Sequence, residues 1–189
     1  MINLVFALLF AQQPLTDVSD WVHVGGQAAY TFTNGELHGV GATGGNAFLH
    51  SPREYSDFVL ECDVKIAPGG NSGIQFRSHV RDNGRLFGYQ CEIDSSSRWI
   101  CGAIYDEARR GWLEDLRDEN ENLARDAFVQ GAWNHYKIKA QGDRIQTWIN
   151  GVACSDIRDE VDAAGLIAFQ VHGGDATDVR WKNIVISEL

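Results

Sequence analysis

The chain is poor in proline, with three among 189 residues, and poor in positive charge. Lys and Arg number 16 against 26 Asp and Glu, so the formal net charge is −10 at pH 7. No basic cluster is longer than Arg109-Arg110. Nucleic acid and anionic membrane surfaces both need a basic patch, so neither is expected as a partner. Cysteine is scarce too: Cys62, Cys91, Cys101 and Cys154, with no Cys-x-x-Cys pair. That spacing excludes the usual zinc sites, and four cysteines in a chain of this length are not a disulfide scaffold. Long apolar runs are lacking. The longest, Ile2–Phe10, is broken by Asn3 and falls short of the roughly 20 residues a spanning helix needs. It suits the apolar segment of a secretory leader over residues 1–13, cleaved near Ala11 or Gln13. On that reading the protein is secreted or periplasmic and does not insert in a membrane after cleavage. The competing reading of this run is a first β-strand buried in the core. No repeat, low-complexity tract or linker appears, and residues 14–189 suit one domain.

What is present is glycine, aromatics and alternation. Gly numbers 20, Trp six, and aromatics reach 11%. The hydrophobic fraction of 44% is enough for a sizeable core. In "DFVLECDVKIA", residues 57–67, Phe58, Leu60, Cys62, Val64 and Ile66 share one face, and Glu61, Asp63 and Lys65 the other. A period of two of this length marks a strand. "WNHYKIKAQGDRIQTWINGVA", residues 133–153, reads as strands joined at Gln141-Gly142-Asp143, then a hairpin turn at Asn150-Gly151. Trp133, Trp148 and Trp181 lie within alternating apolar runs and are expected in the core. The acidic stretch 111–128 reads as a long loop with a short helix. The fold expected is all-β, a two-sheet antiparallel β-sandwich.

The strand "GYQCEID", residues 88–94, carries the chemistry. Residues two apart on a strand point the same way, about 6.6–6.8 Å apart, so Gln90, Glu92 and Asp94 share one face and Cys91 and Ile93 the other. "NSGIQFRSHV", residues 71–80, sets Gln75 and Arg77 on a polar face, and "AFQVHG" does the same for Gln170 and His172. Amide, arginine, carboxylate and imidazole converging on one face describe a wet cleft of the kind sugars require. A hairpin around Ser95–Ser97 would set Cys91 opposite Cys101, at cross-strand distances of about 4.5–5.5 Å, within disulfide range. Two small buried hydrophobes are the other reading of that pair.

These residues carry a family resemblance. "GYQCEIDSSSRWICGAIYDEARRGWL" (88–113) resembles the 3-keto-disaccharide hydrolase family. "NSGIQFRS" (71–78), "GAWNHYKIKAQGDRIQTWINGV" (131–152) and "GLIAFQVHGGDATDVRWKNIVISEL" (165–189) are similar to its other blocks, in the same order. The resemblance covers roughly residues 15–189 and implies a concanavalin-like jelly roll. The family positions fall on Arg77, Glu92, Asp94, Tyr105, Asp106, Glu107, Arg109, Arg110, Trp112, Gln170 and His172. Cys91 and Cys101 depart from it, since ordinary apolar residues are expected there. Bacterial endoglucanases of that fold use E-x-D-x-x-E on one strand; here the third carboxylate is replaced by Ser97. A retaining glycosidase needs its pair about 5–5.5 Å apart, and Glu92 with Asp94 does not complete the set.

The resemblance implies a small carbohydrate substrate and cleavage of 3-keto-glycosides: loss of the C2 proton, β-elimination of the C1 substituent, then hydration. In that scheme Glu92 or His172 is the base, Arg77 stabilises the enolate, and Asp94 orients or holds a metal. Tyr105 and Trp112 stack on sugar faces, with Gln75, Gln90, Glu107, Arg110 and Gln170 around the substrate. A divalent cation would suit an enediolate, but no ligand spacing marks a metal site. A non-catalytic carbohydrate-binding module is the alternative function, and a structural or interaction domain a third; the carboxylates and His172 favour an enzyme.

Overall fold

The computed structural model describes residues 14–117, 126–174 and 177–189. The leader expected over residues 1–13 lies outside them, as does the middle of the acidic stretch, residues 118–125. Twelve antiparallel strands carry the regular structure, and no helix occurs among the described residues. In chain order they are β1 (Val22–Thr33), β2 (Glu36–Tyr55), β3 (Phe58–Ile66), β4 (Asn71–Val80), β5 (Leu86–Asp94) and β6 (Ile104–Glu107). β7 (Gly111–Glu114), β8 (Asn134–Gln141), β9 (Arg144–Ile149), β10 (Val152–Arg158), β11 (Gly165–Val171) and β12 (Asp178–Glu188) follow. Where the acidic stretch is described it begins with strand β7 in place of the expected loop, and the expected short helix falls to residues outside the described ones.

The alternation predicted for β3 is observed: Phe58, Leu60, Cys62, Val64 and Ile66 are buried while Val59, Glu61, Asp63 and Lys65 are less so. The β9–β10 hairpin turns at Asn150-Gly151, both at positive φ (50° and 82°). Two such residues match the right-handed twist of the flanking strands.

The strands pair in the order β10-β9-β8-β3-β12-β2-β11-β4-β5-β6-β7, with β1 on β2. A sandwich of two separate sheets was expected; the hydrogen-bonded path is instead continuous. The reason is β2, whose 20 residues serve both halves. Its Glu36–Val40 segment pairs with β12, and Ala47–Tyr55 pairs with β11. The path curls until distant strands meet: Phe58 of β3 packs on Phe76 of β4 at 6.3 Å between ring centroids. Thr147 of β9 donates to the Gly102 carbonyl at 2.6 Å. Apolar side chains of both halves, Trp181 and Tyr136 among them, fill the interior. Trp133 and Trp148 do not join it. Both are half-buried on the outer face, under Lys182 and Lys137 at 4.1 and 5.6 Å. The period of two places Trp148 opposite the buried Thr147 and Ile149, so its run was apolar without being inward.

All four cysteines are free. Cys91 pairs with Ile104, not with Cys101. The turn before β6 holds Trp99 and Gly102 at positive φ (58° and 81°), and this detour shifts the register. Cys101 Sγ instead donates to the Asp94 carbonyl at 2.9 Å.

Candidate functional site

On β5 the side-chain alternation divides two environments. Cys91 and Ile93 enter the core, while Gln90 and Glu92 turn to the floor of a cleft of about 390 Å³. Tyr105 and Glu107 of β6, Trp112 of β7, Gln170 of β11 and His172 just beyond it also line this cleft. Seven residues named from sequence therefore meet. Asn46, Asn71, Arg98 and Arg117 line it as well and were not foreseen. They come from a strand bend, a strand start and two turns, where alternation gives no signal.

Glu92 is only 4% exposed. Burial pushes its carboxyl up to about 7, against the pull of hydrogen bonds from Gln90 and Asn71 and of the Arg98 charge. Gln90 Nε2 donates to Glu92 Oε1 at 2.5 Å. Gln90 Oε1 in turn accepts from Gln75 Nε2 at 2.5 Å and from Gln170 Nε2 at 3.0 Å. Gln75 Oε1 accepts from the Ser78 hydroxyl at 2.8 Å. Gln75 is thus behind the cleft wall, fixing Gln90 without facing a ligand. Gly73 is the cross-strand partner of Glu92. A Cβ there would lie 2.4 Å from the Gln90 carboxamide, so only glycine lets that side chain cross the floor.

Asp94 also stands behind the lining. Its Oδ1 accepts from the Ser96 amide at 2.8 Å and from the Ser96 hydroxyl; its Oδ2 accepts from Asn71 at 3.1 Å and from Arg98. Those bonds hold Arg98 at the cleft. Tyr105 and Trp112 meet edge to face at 4.9 Å, and the Arg117 guanidinium lies 5.2 Å over the Trp112 ring. Glu107 accepts from Asn46 at 3.4 Å and sits 3.5 Å from Arg85, with burial raising its carboxyl above the ordinary range. Asn46 Oδ1 accepts from the Gly173 amide at 2.9 Å, tying β2 to the chain beyond β11. His172 stands exposed at the rim, and partial desolvation together with the Arg98 charge hold its imidazole below the usual value.

Arg77 and Arg110 do not reach the cleft. The β4–β5 register shifts between Phe76 and His79, and Arg77 adopts a φ of 45°. This bulge ends the alternation that placed Arg77 beside Gln75. The Arg77 side chain instead donates to the carbonyls of Ser56 and Gly142, both at 2.8 Å, to that of Asp162 at 3.3 Å, and to the Asp57 carboxylate at 2.9 Å. Arg110 is bound to Asp106 and, at 2.8 and 3.2 Å, to Asp159. Arg109 bridges Asp106 and Asp162 in the same cluster.

The donor set does not suit a resident cation. Among the described residues no group of three or more His, Cys, Asp or Glu converges on a metal position. Both oxygens of Asp94, the carboxylate assigned that part, are already taken by hydrogen bonds. No helix is long and apolar enough to cross a membrane among the described residues.

An antiparallel β fold with a polar, carboxylate-floored cleft walled by aromatics is the architecture of carbohydrate-active proteins with jelly-roll-like folds. The profile of the 3-keto-alpha-glucoside-1,2-lyase-like domain matches residues 9–187, and the chain belongs to that family. It is 24% identical over 171 residues to the levanase of Bacillus subtilis, covering 87% of this chain. The match spans only 22% of that enzyme's length. Among solved structures it is similar to a carbohydrate-binding module, CBM66, from Bacillus subtilis, at TM-score 0.62 and 21% identity over 89% of this chain and 96% of the module. A candidate glycosyl hydrolase from Parabacteroides distasonis also gives TM-score 0.62 and 21% identity, over 85% and 90% of the two chains. A β-1,3-1,4-glucanase from a mouse hindgut metagenome gives TM-score 0.57 at 12% identity, over 94% and 97%. At these identities the likeness is one of fold.

Proposed function

We propose that this protein cleaves the glycosidic bond of 3-keto-glycosides by elimination, with Glu92 as the base. The observation that carries the reading is a nearly buried carboxyl of pKa about 7 on the floor of a polar cleft. Such a group is half ionised at neutral pH, which suits proton abstraction. A C3 carbonyl acidifies the C2 proton, and Glu92 removes it. The C2–H electrons form the C1–C2 double bond as the C1–O bond breaks. Glu92, protonated by that step, returns the proton to the leaving oxygen, and water then adds across the double bond. Arg98, held by Asp94, takes the part that the sequence assigned to Arg77: a cation for the negative charge that develops on the carbonyl oxygen. Tyr105 and Trp112 form the wall on which a sugar ring packs.

Ordinary glycoside hydrolysis fits less well. Glu107 pairs across the sheet with Gly88, and Glu92 is four residues further along β5. That is about 13 Å of strand between the backbone positions, longer than the carboxyl separations of retaining pairs, roughly 5–5.5 Å, and of inverting ones, roughly 6.5–9.5 Å. The second reading, a non-catalytic carbohydrate-binding module, draws on the likeness to CBM66 over 96% of that module. Under it the same cleft binds sugar and Glu92 only accepts hydrogen bonds.

Incubation of the full chain with a 3-keto-glucoside and with its unoxidised parent separates the readings. Release of the aglycone from the keto form alone is the expected result. Saturable binding without release assigns the protein to the binding module. A parallel arm with a chelator is expected to leave release unchanged. The leader reading proposes export, which N-terminal sequencing of the secreted protein checks.

A further inference from the structure

Gln170 is fully buried, yet its Oε1 has no hydrogen-bond partner. It lines the cleft. An unpartnered buried acceptor costs about 1–3 kcal/mol, so its persistence calls for an explanation. Its orientation is not a free choice. In its ionised form Glu92 only accepts hydrogen bonds, and Gln90 presents Nε2 to it. Gln90 Oε1 must then be the acceptor for the neighbouring amides, and Gln170 turns its Nε2 toward Gln90. The Gln170 oxygen is left on the opposite side, without a partner. The main chain is fixed as well, because the Gln170 carbonyl accepts from the Ser72 hydroxyl at 2.6 Å. The carboxylate, when ionised, thus orients a relay of amides that ends in one buried acceptor without a partner.

We propose that Gln170 Oε1 is a specificity acceptor that reads one hydroxyl of the bound sugar, an inference that rests on the cleft being the carbohydrate site. The partner must be a donor, which excludes the C3 carbonyl of a 3-keto-sugar and points to one of its remaining hydroxyls. A ligand without that hydroxyl leaves the acceptor buried and unpaired, and a site built to pair a substrate hydroxyl rejects analogues that lack it.

The test is a deoxy series: methyl 3-keto-α-D-glucoside and its 2-, 4- and 6-deoxy forms, each measured for aglycone release and for binding by calorimetry. The expected result is a loss of roughly 10- to 100-fold at one position, with the others within about 3-fold. Gln170→Met removes the acceptor and is expected to shrink that one ratio to about 3-fold or less. The series on the native protein needs no variant, so a Gln170→Met chain that fails to fold does not spoil it. Loss at one position in binding, without release from any member, keeps this inference and removes the cleavage reading. Release or binding that is even across the series overturns this inference and leaves the cleavage reading standing. Absence of saturable binding to every member overturns both.

Discussion

Two polar regions are buried along the same pair of strands, β4 and β5, and they differ in how completely they are paired. At one end Arg77 spends its guanidinium on three carbonyls and a carboxylate, while Arg109 and Arg110 lock onto Asp106, Asp159 and Asp162. At the other end Glu92 sits in a relay of amides that stops at a buried, unpartnered oxygen on Gln170. A saturated network holds the fold and offers nothing to a ligand. An oriented network with a vacancy is poised for one. Charge and burial alone do not separate the two, since Arg77 and Glu92 are both buried; the count of partners does.

The largest effect that sharpens this contrast is on catalysis. Glu92→Gln keeps the shape and the Gln90 contact but removes the base, and aglycone release from a 3-keto-glucoside is expected to fall by roughly 10²- to 10⁴-fold. Retention of full activity would mean that the open network does not perform the chemistry. The saturated end should behave oppositely. Arg77→Met leaves several acceptors without a donor, and urea unfolding should show a loss of about 3 kcal/mol, while kcat/KM of the folded fraction stays within about 3-fold of native.

The same two ends differ in their response to pH. The folded pKa of Glu92 is about 7, above its ordinary value of 4.5. The native state therefore holds a proton that the unfolded chain releases, and stability falls as pH rises through this window. Native protein should lose up to about 3 kcal/mol between pH 4.5 and 8 relative to Glu92→Gln, measured as the difference of two denaturation series. Over the same range kcat/KM should rise and level off above about pH 7, because the ionised form is the base. A smaller effect is expected at the wall: Trp112→Ala should weaken sugar binding by about 3- to 10-fold with little change in kcat. The smallest is expected at the rim, where His172 is exposed and its imidazole lies below the usual value, hence neutral at pH 7. His172→Gln should alter kcat/KM by less than about 10-fold and leave the limb near pH 7 in place; loss of that limb would transfer the role of base to His172.

Much of the cleft was legible before the fold was known. The alternation of Gln90 and Glu92 against Cys91 and Ile93 predicts two faces, and the structure separates them. The family blocks single out Tyr105, Glu107, Trp112, Gln170 and His172, and all five line the cleft. Arg77 was misplaced because a bulge changes which side a strand residue faces, and nothing in "GIQFRSHV" marks one. Asp94 was placed beside Glu92 correctly along the strand, but its oxygens are consumed by Ser96 and Arg98 of the following turn. Arg98 escaped notice for the same reason: its position is set by that turn and not by a period.

The sequence by itself determined the class of fold and the floor of the cleft, because strand alternation and hairpin turns are local consequences of side-chain sterics and backbone φ. Only the tertiary structure decided which polar groups are saturated, since the partners of Arg77 are up to 85 residues away and Gln90 meets Gln170 across 80 residues of chain. Such contacts depend on strand order, bulges and the double duty of β2, and these follow from the packing of the whole chain and not from any one segment.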